Sequence, residues 1–133
     1  MLNQLYKDVD NGALSGLVDF YGITMSNVYI EEGMAERRAA FLKYFRRNPF
    51  GGGYSITAGL GPALEWLASF RYGDDLVDFL RTIPGRDGNP ILSEKTLQYL
   101  NGRKLSLDID AIPEGTVVFP FEPIVRVQGP VVE

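Results

Sequence analysis

Residues 102–115, Gly102-Arg103-Lys104-Leu105-Ser106-Leu107-Asp108-Ile109-Asp110-Ala111-Ile112-Pro113-Glu114-Gly115, decide the fold class. Leu105, Leu107 and Ile109 alternate with Ser106, Asp108 and Asp110, the period-two pattern of a strand with one buried face. Pro113-Glu114-Gly115 then reads as a turn. Two short β segments follow, at 116–119 and 124–127, separated by Pro120-Phe121-Glu122-Pro123. Upstream of Gly102 the apolar residues recur mostly at helical spacing. The class is therefore α+β, helices first and β ribbons last.

Working back from Gly102, a helix is predicted to start at Ser93 and stop at Asn101-Gly102, with Leu97 and Leu100 inward. Residues 84–90 form a polar loop. Asp74 is a candidate N-cap for a short helix through Leu76, Phe79 and Leu80. Gly61-Pro62 opens a helix over 63–70 that is expected to bury Leu64, Leu67 and Trp66. Residues 54–58 suit a short strand, and Asn48-Pro49-Phe50-Gly51-Gly52-Gly53 is a break. Residues 39–47 read as a strand, with Ala40, Leu42 and Tyr44 on one face and Phe41, Lys43 and Phe45 on the other. Over 17–30, Leu17, Phe20, Tyr21, Met25, Val28 and Tyr29 fall near helical spacing, and Gly33 suits a left-handed stop. Residues 1–16 look like an arm with a turn at Asn11-Gly12.

The chain has 133 residues, 45 % of them apolar and 23 % charged, as in a globular protein. Its net charge of −4 argues against a general binder of nucleic acid. No uninterrupted apolar stretch approaches the roughly 18 residues of a membrane helix, and no targeting signal opens the chain. A soluble cytoplasmic protein is the expectation. The sequence has no cysteine, which excludes disulfides and thiol nucleophiles. It also has no histidine, which removes the commonest general base and metal ligand. Chemistry must come from carboxylates and arginines, or from outside the chain.

Arg37, Arg38, Lys43, Arg46 and Arg47 form a basic cluster without an intervening acid. Arginine suits phosphate because its planar fork makes two parallel charge-assisted hydrogen bonds. The same cluster also fits a solvated strand edge guarded by cations. Gly51-Gly52-Gly53 lacks the Gly-Lys-Ser/Thr of a P-loop, and Gly59-Leu60-Gly61 lacks the third glycine of a dinucleotide fingerprint. Asp108 with Asp110, and Asp74-Asp75-Asp78, offer paired carboxylates, but an outer strand face and a helix N-terminal turn account for them without function. Tyr44, Phe45, Phe50 and Tyr54 surround the basic segment, where an aromatic beside arginines can serve the core or stack on a planar ring.

Three stretches bear a family resemblance. Val18-Asp19-Phe20-Tyr21-Gly22-Ile23-Thr24-Met25 resembles the Thr-Asp-x-Tyr-x-x-Thr-Met segment of nicotinate phosphoribosyltransferases, with Val18 in place of the usual Thr. Ala40-Phe41-Leu42-Lys43-Tyr44-Phe45-Arg46-Arg47-Asn48-Pro49-Phe50-Gly51-Gly52-Gly53-Tyr54 resembles that family's Phe-Phe-Arg-Lys-x-Pro-Phe-Gly-Gly-Gly-Tyr stretch, followed by Ala58-Gly59-Leu60 and a Leu-Glu-Trp-Leu helix. Residues 112–130, from Ile112-Pro113-Glu114-Gly115 to Gln128-Gly129-Pro130, resemble a third family block.

The resemblance implies a type II phosphoribosyltransferase that joins nicotinate to 5-phosphoribosyl 1-diphosphate for NAD synthesis, with coupled ATP hydrolysis and Mg2+. It implies a homodimer in which an N-terminal α/β domain packs on an irregular barrel. Tyr21 matches the tyrosine that stacks on the nicotinate ring, in the related structures from the neighbouring subunit, and Arg46 a phosphate-associated position, with Arg47 the candidate if the register shifts by one. The barrel residues and the family's phosphorylated histidine would lie beyond Glu133. The chain is therefore expected to be one N-terminal domain over 1–133, with a helix and strand part at 16–102 and β ribbons at 103–133 leading towards the barrel. It is expected to hold no catalytic residue or metal of its own and not to turn over alone, as a truncated product or a piece of a split enzyme. A non-catalytic binding or assembly module of the same shape is the alternative.

Overall fold

The computed structural model describes Gly16 and residues 18–133. The arm and the turn expected at Asn11-Gly12 lie outside the described residues, as does Leu17. The order is helix α1 (Phe20–Glu31), strand β1 (Arg38–Lys43), a 3-10 turn at Pro49–Gly51 and strand β2 (Ser55–Ile56). Helices α2 (Leu60–Ser69), α3 (Asp74–Arg81) and α4 (Glu94–Leu100) come next, then β3 (Asp108–Ala111), β4 (Val117–Val118) and β5 (Val125–Pro130). The architecture is α+β, and the described residues form no closed barrel. No helix among them is long and apolar enough to cross a membrane.

The core is a helical cluster. Ile23 and Ile30 of α1, Val77 and Leu80 of α3, and Leu97 and Leu100 of α4 are buried together with Leu92, Phe70 and Tyr72. Ser93 caps α4 through its side chain, which accepts from the Thr96 amide at 3.1 Å, and its hydroxyl donates to Glu31 at 2.6 Å. Gly33 and Gly102 stand at φ +67° and +68° after α1 and α4, the left-handed stop that glycine supplies without strain.

Three helical faces differ from the sequence expectation. Along α1 the buried residues are Ile23, Ser26 and Ile30, while Tyr21, Met25 and Val28 are exposed. This helix carries two apolar stripes, and periodicity alone does not say which one the fold uses. On α3, Asp74 is the first helical residue after the N-cap Gly73, and Val77 rather than Phe79 turns inward. On α2 no residue is buried: Leu64 is exposed, and Trp66 only packs against the rim of the core.

The strands form two antiparallel sheets, β1-β5-β3 and β2-β4. Strand β5 is central, pairing Arg38 with Pro130 on one side and Asp108 with Gln128 on the other. The sheet therefore joins strands from both ends of the chain. Strand β3 begins only at Asp108, because Leu105 to Leu107 pack toward the helices and β5 rather than extend the ladder: a Cβ on Gly129 would meet Leu107 Cδ2 at 2.7 Å. Strand β1 ends at Lys43, earlier than expected.

Candidate functional site

Tyr21 sits in the first turn of α1 and is 67 % exposed. Asp19 makes no side-chain cap, so the turn is closed by the Gly22 amide on the Asp19 carbonyl at 2.9 Å and by Thr24 Oγ1 on the Tyr21 carbonyl at 3.0 Å. Tyr21, Met25 and Tyr29 form one wall of a largely apolar cleft of about 320 Å³. Ala39 and Phe41 of β1 face them, with Leu107 and the exit of β5 completing it. A flat aromatic ligand could lie against the Tyr21 ring here while one edge stays open to solvent.

The exit of β5, residues 131–133, is fastened along its length. The Val131 amide donates to the Arg37 carbonyl at 2.8 Å, and Ser26 Oγ reaches the Val132 carbonyl at 3.5 Å. The Glu133 side chain is only 2 % exposed. Its carboxylate accepts from the Ser106 amide at 2.6 Å and from Arg103 Nε at 3.1 Å. Arg103 Nη2 also reaches Glu36 at 2.9 Å, and its guanidinium lies over the Tyr99 ring at 4.5 Å. The Tyr99 hydroxyl in turn donates to Glu36. Residues 36, 99, 103 and 133 are too scattered in sequence to form a pattern, and sequence reasoning missed them.

This cluster has two titration limits. The hydrogen bond from Tyr99, followed by the charge of Arg103, holds the Glu36 carboxyl below its ordinary 4.5. Burial first, then the bond to Glu36, pushes the Tyr99 phenol from 10.0 up to about 12. A depressed carboxyl stabilises the fold above its ordinary value, and the gain is lost as pH falls through the folded one. A raised phenol stabilises below its ordinary value, and that gain is lost as pH rises through about 12. The cluster's contribution is thus full between 4.5 and 10.0. Glu36→Gln is expected to flatten the acid limb of the denaturation midpoint plotted against pH; superimposable limbs would contradict this.

Arg46 and Arg47 lie in a bend past the end of β1, both exposed, not in the strand where they were expected. A one-residue slip therefore does not turn either to an opposite sheet face. Neither has an ionic partner among the described residues, whereas Arg38 pairs with Asp108 at 2.7 Å. The bend is held from outside: the Phe121 amide donates to the Phe45 carbonyl at 2.9 Å, and the Tyr44 and Phe121 rings stand 5.9 Å apart. Ser55 Oγ donates to Asn48 at 3.2 Å just beyond. The structure does not bring Tyr21 and the two arginines into one cleft, since neither arginine lines the cavity at Tyr21.

The glycine run leaves a 3-10 turn at Pro49–Gly51. The Gly52 amide is already taken by the Pro49 carbonyl at 3.1 Å. Phe50 there has φ +56° and Phe121 φ +67°, left-handed conformations that a bulky residue rarely adopts. The carboxylates of the sheet are also accounted for: Asp110 pairs with Arg126 at 3.1 Å, as Asp108 does with Arg38. Among the described residues no cluster of three or more acids is placed to hold a metal ion.

Against this geometry stand the known relatives. A family described as the nicotinate phosphoribosyltransferase (NAPRTase) N-terminal domain matches residues 17–133. Nicotinate phosphoribosyltransferase 2 of Arabidopsis thaliana is 42 % identical over 117 residues, covering 86 % of this chain and 20 % of that protein. The Bacillus subtilis nicotinate phosphoribosyltransferase is 36 % identical over 133 residues, which is all of this chain and 25 % of its own length. The crystal structure of human nicotinic acid phosphoribosyltransferase matches with a TM-score of 0.69 at 35 % identity, covering 86 % of this chain and 22 % of the human one. The chain thus spans a fifth to a quarter of the relatives it matches. With this match over residues 17–133 and the shared α+β fold, the chain belongs to the nicotinate phosphoribosyltransferase family, in its N-terminal domain.

Proposed function

We propose that this chain is the N-terminal part of an enzyme that joins nicotinate to 5-phosphoribosyl 1-diphosphate, giving nicotinate mononucleotide and diphosphate for NAD biosynthesis. It acts in the cytoplasm, as a single domain, within a homodimer and together with the barrel-containing remainder. The observation that carries this reading is the match over 17–133 to that N-terminal domain, with Tyr21 solvent-facing beside an apolar cleft.

The roles are positioning and charge. Nicotinate is a flat, electron-poor ring, and the Tyr21 face is a suitable surface for it. As the bond from the ribose to the diphosphate breaks, negative charge grows on the leaving group. Arg46, or Arg47 beside it, meets that charge with its guanidinium. Neither role needs a nucleophile from this segment, and no catalytic residue is assigned here. ATP and Mg2+, which the family resemblance implies, would be held mainly by the remainder.

The test is an assay with nicotinate and 5-phosphoribosyl 1-diphosphate, on this chain alone and mixed with the barrel-containing remainder. No mononucleotide from the chain alone, and formation on mixing, is the expected pair of results. Turnover by the chain alone would overturn the division of labour. A stable but inert assembly would favour the non-catalytic module instead.

A further inference from the structure

We infer that the outer edge of β1 is a docking edge, on which a strand of the barrel-containing remainder pairs and extends the three-stranded sheet. The inference rests on the reading of this chain as the N-terminal part of a larger enzyme. Its own basis is the register of the sheet. The Val131 amide donates to the Arg37 carbonyl at 2.8 Å, so 37 and 131 form a hydrogen-bonded pair next to the Arg38–Pro130 pair. In an antiparallel ladder such pairs alternate with pairs that exchange no bond. Pro130, which has no N–H to give to Arg38, fits the same phase. Ala39 and Phe41 therefore bond inward to β5, while the amides and carbonyls of Arg38, Ala40 and Leu42 point off the sheet. The order β1-β5-β3 leaves no strand on that side, and among the described residues nothing else bonds to these groups.

Bare edges are ordinarily guarded by charge, proline or a bulge. The other edge strand, β3, sets Asp108 and Asp110 within its four residues. Strand β1 has neither proline nor bulge, and its charges stand at its ends. Arg38 is neutralised by Asp108 at 2.7 Å, and residues 39–42 carry no charge. Phe41 and Leu42 are both more than half exposed. Such an edge is a template for a further strand. The charges indicate which strand. Lys43 has no ionic partner among the described residues, and Arg46 and Arg47 follow it. The incoming strand is therefore apolar beside 39–42 and acidic where it passes Lys43. A second copy of β1 is a poor match, because antiparallel pairing about its centre sets Arg38 against Lys43 at both ends. The remainder is the better source: this chain covers only 20 % and 25 % of two of its relatives, so most of such an enzyme lies outside it.

The experiment is residue-resolved amide exchange on the chain alone and in its assembly with the remainder, together with the variants Ala40→Pro and Ala39→Pro. In the chain alone, the amides of Arg38, Ala40 and Leu42 should exchange fast and those of Ala39 and Phe41 slowly. In the assembly the outward amides should slow by at least about tenfold. A proline is tolerated on an edge strand where the missing N–H faces solvent. Ala40→Pro should therefore keep the denaturation midpoint of the chain and raise its dissociation constant from the remainder about tenfold. Ala39→Pro removes an inward bond and should lower the midpoint itself. If Ala40→Pro fails to fold, exchange on the unmodified chain decides. Outward amides that are slow in the chain alone, or fast in an assembly that forms mononucleotide, would overturn the inference while leaving the proposed function in place. So would a folded Ala40→Pro chain that assembles as tightly as the wild type, or protection that grows with the concentration of the chain alone, which would assign the edge to a second copy. A wild-type chain that neither binds the remainder nor forms mononucleotide with it would overturn the underlying reading, and this inference with it.

Discussion

Leu97→Ala is expected to lower the stability of the folded protein by about 2–5 kcal/mol, measured by denaturant titration. Leu97 is 1 % exposed and belongs to the single helical cluster that includes Ile23, Ile30, Val77, Leu80 and Leu100. Truncation removes transfer energy and leaves a hole that neighbours on α1, α3 and α4 cannot all move to fill. Phe79→Ala is the control. Its ring is larger but 61 % exposed, so the change should stay within about 0.5 kcal/mol. Equal losses from the two changes would mean that this cluster is not what holds the domain together.

The second large effect is on phosphate binding. Arg46→Ala is expected to raise KM for 5-phosphoribosyl 1-diphosphate in the assembled enzyme by about 10–100-fold, the equivalent of one charge-assisted hydrogen bond of roughly 1.5–3 kcal/mol at about 1.4 kcal/mol per decade. The nicotinate KM should stay where it is. Arg47→Ala is measured in parallel, because both side chains leave the same bend and both are exposed. A rise confined to one variant identifies the contact. If neither variant moves that KM, the phosphate assignment is wrong and the cations serve only solubility.

The local stops and starts could be read from the sequence. The Ser93 cap, the left-handed Gly33 and Gly102, and the Pro113-Glu114-Gly115 turn all came from interactions within a few residues, so short-range chemistry specified them. Helix faces were harder. In α1 both Ile23-Ser26-Ile30 and Tyr21-Met25-Val28 satisfy helical spacing, and only the tertiary partner α4 chooses between them. The pairing of β1 with β5 joins residues such as Arg38 and Pro130 that no local pattern connects. The site shows the same division. As a candidate, Tyr21 could be singled out because a contiguous motif surrounds it. The Arg103 cluster could not, since its four members meet only after the chain has folded.

Strand β1 is written like an interior strand, with Phe41 and Leu42 on opposite faces, yet both are more than half exposed and Tyr44 follows them into solvent. Phe50, at the crest of the neighbouring turn, is fully exposed. A surface of this kind on an isolated domain is an aggregation liability. Synthesised alone, the segment should be sticky and short-lived, and under the proposed function its yield should depend on how soon that face is covered. Solubility, measured with and without co-expression of the remainder, would then report on assembly before any product is formed.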